Sequence, residues 1–531
     1  MLAELLASLL TASDAGCAAD ELHRRLAELN GPPGSVLHVA LGVPIEDPGR
    51  ARALARHLTR TGTGLSAVGV GLALLARVGE PEDVPYLKVL GQVRDLHLIA
   101  VQALDAVDPA TAALVWLGQR AGAPAVRELV DALAAGAEPA VPRLLESVLR
   151  EADGLGPEPA RRVAEAVRLA ELLRTDGAGE TWLVAGAGQL LCRMSSVDDY
   201  WSQVRLCPAA VDLYEGFVAH AAVLPPTLDH CALLLSVAQE LHSGPSHLLA
   251  WAPGQREALL GALKSVLERP AWRAVLVDGE GRRAEWARHL AGQPLGGTSG
   301  RLRIEAAVLD PQRRGIVEAR ILIDGRPLVP EAFGRGSADS PESLVDSGAL
   351  RATAEPREVR LAEAYCTEGC CGALYVTVRR DGDHVVWSDW SRPAAPSLAP
   401  PLRELSEYRF DAAAYDAELV RAERDHTWTW PARRTARLIA AGLRDRPELL
   451  TRWGARLGWA GTDFGRPDLT AVVLKCRTAP TIGRHGEVAL WQHIAWYLPE
   501  DGTDPEDRAA VALRRLATED PRTYGEGVAG G

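Results

Sequence analysis

An acidic residue followed by proline recurs at nearly regular intervals in the first 150 residues of the chain. The pair occurs four times, separated by 33, 28 and 30 residues, at Asp47–Pro48, Glu80–Pro81, Asp108–Pro109 and Glu138–Pro139. Proline suits the first position of a helix because its missing N–H would have no helical partner there. The acidic side chain before it can accept the free N–H groups at the helix start. Each pair therefore predicts a helix start, and the period predicts a repeated two-helix unit.

A second similarity between distant segments supports this period. The segment Val84-Pro85-Tyr86-Leu87 matches Val141-Pro142-Arg143-Leu144. A unit of about this length buries its apolar face only against its neighbours, so that successive units stack into a solenoid. The pattern predicts a helical solenoid, and unrelated helices in an ordinary bundle are the alternative.

Three segments resemble the short bacterial HEAT repeat: Ala73–Pro81, Val84–Leu87 and Leu98–Leu104. The resemblance covers residues 47–150. In one respect the chain departs from the family, since Asp95-Leu-His-Leu98 lacks the arginine that often starts the second helix. HEAT-like arrays bind other macromolecules along a concave face, and the resemblance implies that role here. Residues 47–110 carry seven basic and seven acidic side chains, so we expect a protein partner rather than a DNA duplex.

Helical spacing of apolar residues continues beyond the repeat, at Thr181–Met194, Ala209–Ala222 and Leu228–Leu241. A Gly-rich segment at 293–300 then precedes a change to alternating patterns. A chain of 531 residues is too long for one hydrophobic core. We therefore predict three domains: a HEAT-like repeat over 1–155, a helical continuation or separate bundle over 156–292, and a β-rich α+β domain over 300–531.

Two hairpins are predicted in the last third. One turns at Asp324-Gly325, and the other runs from Ala373 to Trp390 around Asp381-Gly-Asp383. Further strands are expected at Leu469–Arg477 and Val488–Leu498, and a helix at Ala432–Leu443. The predicted fold is thus a HEAT-like helical solenoid followed by further helices, then a C-terminal α+β domain rich in antiparallel strands.

Three cysteines occur within six residues, immediately before the second hairpin. Cys366, Cys370 and Cys371 could bind zinc, with His384 or Cys476 as the fourth ligand of a tetrahedral site. Their spacing is not that of paired zinc-ribbon cysteines, and small thiols packing a tight turn are the alternative. Zinc is the one cofactor that the sequence suggests, and otherwise we expect none.

A segment rich in arginine and tryptophan offers a second hypothesis. Arginines beside exposed aromatic rings are typical of surfaces that bind single-stranded nucleic acid, where rings stack on bases and guanidinium groups contact phosphates. The alternative is a solvated helix face with the tryptophans turned inward, which the arginine-rich composition of the whole chain favours. The residues concerned are Arg421, Arg424, Trp428, Trp430, Arg433, Arg434 and Arg437.

The sequence shows no nucleophile elbow, phosphate-binding loop or dinucleotide-binding glycine set. His230 and His242 lie too far apart for one helical turn and are read as helix-face histidines. No signal-like leader or membrane-length apolar run is present, and the cysteines are mostly isolated, which favours a cytoplasmic protein without a membrane partner. We predict a non-catalytic scaffold that binds a protein partner. An enzyme or nucleic-acid effector with its site in the C-terminal domain is the alternative.

Overall fold

The computed structural model describes most of the chain. The described residues are 2–11, 14–28, 33–175, 179–196, 202–293, 300–312, 316–334, 336–364, 372–392, 404–463, 466–477, 481–483, 486–488, 491–524 and 527–528. They form helices up to residue 291, followed by antiparallel sheets with accompanying helices. The predicted fold class, helical first and then α+β with antiparallel strands, is confirmed.

Contacts between residues group the chain into two compact units. The first takes its described residues from 1–225 and 249–262, and the second from 226–248, 263–392 and 404–531. The three predicted domains, with boundaries near residues 155 and 293, stay a prediction.

The first unit is helical throughout its described part. Its helices are α1 (Leu2–Leu10), α2 (Ala15–Glu28), α3 (Pro33–Gly42), α4 (Pro48–Thr61), α5 (Leu65–Val78), α6 (Val84–Leu90), α7 (His97–Asp105), α8 (Pro109–Arg120), α9 (Pro124–Ala134), α10 (Val141–Arg150), α11 (Pro157–Ala166), α12 (Leu169–Leu172), α13 (Thr181–Ser195) and α14 (Ala210–His220). Helix α15 (Leu228–Ser243) belongs to the second unit, and the division falls within α16 (Gln255–Leu267).

The acidic–proline pairs start helical segments, as predicted. The Asp47 carboxylate accepts the N–H of Arg50 at 3.0 Å at the start of α4, and Asp108 accepts the N–H of Thr111 at 3.1 Å at the start of α8. The other two pairs begin short 3₁₀ turns, Pro81–Asp83 and Glu138–Ala140. These contacts satisfy N–H groups that a helix cannot satisfy internally.

Arginines of α4 connect this helix to the next helical start. Arg56 donates to the buried Asp83 carboxylate at 2.7 Å, and Arg52 donates to the carbonyl of Val78 at 2.6 Å. Burial alone would raise the pKa of Asp83, but the hydrogen bonds from Arg56 and from the Glu80 N–H, together with the charges of Arg56 and Arg60, outweigh it and lower that pKa. Neighbouring helices are thus connected by charged contacts as well as by their apolar faces.

A buried charged network joins α7 to α11. Arg161 and Arg162 are 5% and 3% exposed, and each lies within ion-pair distance of both Asp105 and Glu165. Burial raises the pKa of the Glu165 carboxyl to about 7, an effect that the two guanidinium groups oppose. The network therefore contains a group that titrates near neutral pH.

The second unit contains two sheets that share one hydrophobic core. The first sheet has the order β1 (Leu302–Val308), β2 (Val317–Ile323), β3 (Arg326–Pro327), and the second is the meander β4 (Arg357–Glu363), β5 (Ala373–Asp381), β6 (His384–Ser391), β7 (Tyr408–Asp411). Both predicted hairpins are present. Asp324 and Gly325 have φ of 50° and 78°, the left-handed conformation that a two-residue turn of this type requires.

Helices complete this part of the second unit. They are α17 (Pro270–Asp278), α18 (Arg282–Ala291), α19 (Leu328–Ala332) and α20 (Ala412–Arg424), together with a π-helical turn at Glu342–Asp346. In the core of the two sheets the Trp387 indole donates to the hydroxyl of Tyr415 at 3.2 Å, and that hydroxyl donates to the carbonyl of Leu350 at 2.7 Å. These bonds satisfy the polar atoms that the aromatic side chains bring into the core.

A third sheet has its own core. Its strand order is β13 (Gly527–Val528), β12 (Trp491–Pro499), β9 (Leu469–Arg477), β8 (Ala455–Thr462), and β10 (Thr481–Gly483) pairs separately with β11 (Gly486–Val488). Helices α21 (Pro431–Asp445), α22 (Glu448–Thr451) and α23 (Pro505–Thr518) contribute to this core. The predicted strand at 469–477 and helix at 432–443 are confirmed, whereas β4, β7 and β8 were not predicted.

In the part of the chain that the structure describes, no helix is both long enough and apolar enough to cross a membrane.

Candidate functional site

The cysteines proposed as zinc ligands, Cys366, Cys370 and Cys371, lie outside the described residues. Of the two proposed fourth ligands, His384 pairs with Asp381 at the turn end of the β5–β6 hairpin, whereas the cysteines precede the opposite end of β5.

The other proposed fourth ligand, Cys476, is 1% exposed in the core of the third sheet. Burial raises the pKa of its thiol, whereas metal binding requires the thiolate. Among the residues that the structure describes, no group of three or more His, Cys, Asp or Glu side chains could hold a metal ion. The zinc hypothesis for the cysteine triplet stays a prediction.

The proposed nucleic-acid patch is engaged in contacts within the second unit. Arg433 is 4% exposed and binds the buried Glu342 carboxylate, and Arg437 binds Asp346 at 2.6 Å. The guanidinium carbons of Arg433 and Arg437 lie 5.4 and 4.5 Å from the centroid of the Trp428 ring, which is itself 3% exposed. This ring is therefore covered by arginines and is not available to stack on a base.

Most of the other residues of the patch also make contacts within the second unit. Arg421 pairs with Glu418 at 2.7 Å, Arg434 pairs with Glu506, and the Trp430 indole donates to the carbonyl of Pro467. Arg424 is exposed at the end of α20. These pairings remove most of the positive charge that phosphate binding would require, so the geometry favours the inward-facing alternative for this segment.

Exposed apolar side chains concentrate in the first unit, in the segment from α5 to α7. We call Leu65, Tyr86, Val89, Val93 and Leu98 the apolar strip, and their exposed fractions run from 41% to 68%. Tyr86 and Val89 are three residues apart on α6 and therefore share a face. Half of the ten large apolar side chains that are exposed in the described structure occur in these 34 residues.

A cleft of about 440 Å³, which we call the polar cleft, lies within the second unit. Strand β1 contributes Arg303 and Glu305 to its walls, helix α15 contributes His242, and helix α18 contributes Arg288 and His289. Asp425 and Thr427, between α20 and α21, complete one side. The volume falls within the range of small-molecule sites, about 300–1,000 Å³.

Two of these residues form a histidine–carboxylate pair. Nε2 of His242 lies 3.2 and 3.1 Å from the two oxygens of Glu305. Burial alone would raise the pKa of Glu305, but His242 and the guanidinium groups of Arg303 and Arg320 outweigh it and lower that pKa. Because an ionised carboxylate can only accept, Nε2 carries the proton of this bond.

His289 differs from His242 in its surroundings. Burial lowers the pKa of His289 more than the nearby Asp425 carboxylate raises it, which keeps the ring neutral at pH 7. The side-chain nitrogen of Gln293 lies 2.7 Å from Nε2 of His289. Because that amide nitrogen can only donate, Nε2 accepts, and the proton of the neutral ring resides on Nδ1.

A smaller cavity of about 70 Å³ shares His289 and Thr427 with the polar cleft. We call it the tryptophan pocket, because Trp286, Trp428 and Trp430 line it. All three indole N–H groups donate to backbone carbonyls, those of Val308, Asp425 and Pro467. The rings are thereby fixed in position, and they present apolar surface to the pocket.

Sequence reasoning did not identify the polar cleft. Its residues come from segments between 242 and 427 that are brought together by tertiary structure, and they form no local motif. The one local signal is on β1, where Arg303 and Glu305 project from the same side of a strand and place two charges on one face.

Comparison with known proteins adds no relative. No protein-family model matches the sequence, and no curated protein or solved structure is significantly similar to it.

Proposed function

We propose that the protein is a cytoplasmic scaffold whose HEAT-like helical region binds a protein partner through the apolar strip. The observation that carries the proposal is the concentration of exposed apolar side chains between Leu65 and Leu98, in the segment that resembles the HEAT repeat. Exposed apolar side chains that concentrate in one segment are typical of sites where proteins bind one another. The C-terminal β-rich part would act as a second recognition module.

The electrostatics of the segment support a protein partner. Near the strip, the guanidinium carbon of Arg60 lies 4.4 Å from the centroid of the Tyr86 ring, where it covers part of the aromatic face. The equal numbers of acidic and basic side chains in residues 47–110 give no concentrated positive surface for a nucleic acid. An apolar centre with a mixed polar rim is the usual composition of a protein interface.

Capture experiments with the full-length chain test this proposal. The wild type, Val89→Asp and Leu98→Asp are compared as bait in a lysate of the native organism. Val277→Asp is the matched control, because Val277 is 75% exposed on α17 in the other unit. We expect wild type and control to retain the same partner, and both strip variants to lose it.

Two observations make the result interpretable. Circular dichroism should show unchanged helical content for all variants, because each replaced side chain is exposed. Cross-links from the retained partner should map to residues 84–98. Retention of the partner by both strip variants, or cross-links confined to other segments, would contradict the proposal.

A further inference from the structure

We propose that the polar cleft and the tryptophan pocket together bind a small molecule that carries a carboxylate or phosphate group and a short apolar group. Both cavities lie within the second unit, so this inference does not depend on the proposed partner surface. They share His289 and Thr427, which allows one ligand to extend through both.

We place the anionic group of the ligand beside Arg288. Its Nη1 donates to the carbonyls of Leu276 and Gly279, at 2.9 and 3.0 Å, which fixes the side chain without neutralising it. No described carboxylate lies within ion-pair distance of Arg288. By contrast, Arg303 and Arg421 both lie within that distance of Glu418. Arg288 therefore contributes an unneutralised guanidinium to the polar cleft, with Nε and Nη2 available to donate.

An arginine donor without a partner lines the tryptophan pocket. Nε of Arg282 is buried and has no hydrogen-bond partner among the described residues, although Nη1 of the same side chain pairs with Asp468. A buried donor without a partner is costly, and an acceptor atom of a ligand would remove that cost. The unneutralised guanidinium of Arg288 and the buried Nε of Arg282 both favour acceptor oxygens on the ligand.

We place the apolar group of the ligand in the tryptophan pocket. Its volume of about 70 Å³ suits a branched group of three or four carbons rather than a large ring system. The fixed rings of Trp286, Trp428 and Trp430 would cover such a group. His289, neutral at the junction, can donate from Nδ1 without adding charge.

Calorimetric titration of the full-length protein at pH 7 tests the inference. The probes are 3-methylbutanoate, 3-methylbutyl phosphate and the neutral 3-methylbutan-1-ol, which share one apolar group and differ in the polar end. We expect at least one anionic probe to bind, with affinity at least about tenfold higher than that of the alcohol. The comparison between the two anions identifies the preferred class.

Variants locate the binding. Arg288→Ala should weaken the preferred anion by about tenfold or more, whereas Arg273→Ala, at an exposed position on the neighbouring helix α17, should leave its affinity unchanged. Unfolding curves establish that each variant is folded.

Three results would overturn the inference. They are failure of both anions to bind at concentrations up to roughly 10 mM, equal affinity for the anions and the alcohol, or wild-type affinity in a folded Arg288→Ala variant.

Discussion

Arg433 donates two hydrogen bonds to the carboxylate of Glu342, at 2.6 and 2.9 Å, although 91 positions separate the two residues in the chain. Their side chains are only 5% and 8% exposed. One helical turn further along α21, Arg437 forms the same two-bond contact with Asp346, at 2.6 and 2.7 Å. Two parallel ion pairs thus fasten α21 to the π-helical turn.

Loss of the Arg433 side chain should be strongly destabilising. Arg433→Ala leaves the Glu342 carboxylate buried without its partner, and we expect a loss of about 3–5 kcal/mol in the free energy of unfolding. Arg434→Ala is the matched control, because its ion pair with Glu506 is exposed and should contribute less than about 1 kcal/mol. Urea denaturation of both variants measures the difference, and equal losses would contradict the buried-pair interpretation.

Stability should fall as pH rises through neutrality because of Glu165. A carboxyl whose pKa is raised from 4.5 to about 7 in the folded protein favours the protonated form. Its stabilising contribution is fully present below pH 4.5 and is lost as the pH rises through 7, to a limit of about 3 kcal/mol.

Thermal unfolding between pH 5 and 8 measures this dependence. Glu165→Gln removes the titrating group and should flatten the pH dependence of the melting temperature relative to the wild type. Glu146→Gln, at an exposed ion pair on α10, is the control that should leave it unchanged. If the melting temperature of Glu165→Gln depended on pH as that of the wild type does, the Glu165 carboxyl would not titrate between pH 5 and 8.

The acidic–proline helix starts can be tested one at a time. Asp108→Ala removes the acceptor for the N–H of Thr111 and should lower the free energy of unfolding by about 1 kcal/mol. Asp108→Asn retains an acceptor oxygen and should recover most of this loss. Guanidinium denaturation distinguishes the two, and a similar loss in both would indicate that charge, rather than the hydrogen bond, provides the stabilisation.

Close packing between α10 and α13 depends on a glycine. A Cβ added at Gly186 would lie 2.6 Å from the Cβ of Leu149, an atom that cannot move without its backbone. Gly186→Ala should therefore destabilise by about 1–3 kcal/mol, although alanine is the better helix former. Gly118→Ala, where the nearest atom would be 4.0 Å away, should be neutral or stabilising by up to about 1 kcal/mol. Equal effects at the two sites would contradict this packing argument.

Local signals predicted the elements whose stability is itself local. The turn at Asp324-Gly325 and the helix starts after Asp47 and Asp108 follow from interactions among neighbouring residues, and the structure contains all of them. The strands β4 and β8 lack such clear alternation, since each carries a register shift opposite its partner strand. A bulge interrupts the two-residue periodicity on which strand prediction depends.

Tertiary contacts account for what the sequence did not reveal. The arginines of α21 suggested a phosphate-binding surface because their partners, Glu342 and Asp346, lie about ninety positions away in the sequence. The polar cleft was missed for the same reason, since the 63 positions between His242 and Glu305 hide their contact. Charge seen along a sequence does not reveal which charges neutralise one another in space.

The acidic–proline helix starts have a consequence for how the array can change in length. Each helix start is determined by residues within a few positions of it, so each helical unit contains the residues that start it. Removing the 28 residues from Glu80 to Val107 would place Asp108–Pro109 where Glu80–Pro81 now follows α5. Such a deletion would keep a helix start after α5 but would remove Asp83, the partner of Arg56, so a change in length by a whole unit preserves the helix starts and requires new contacts between the helices.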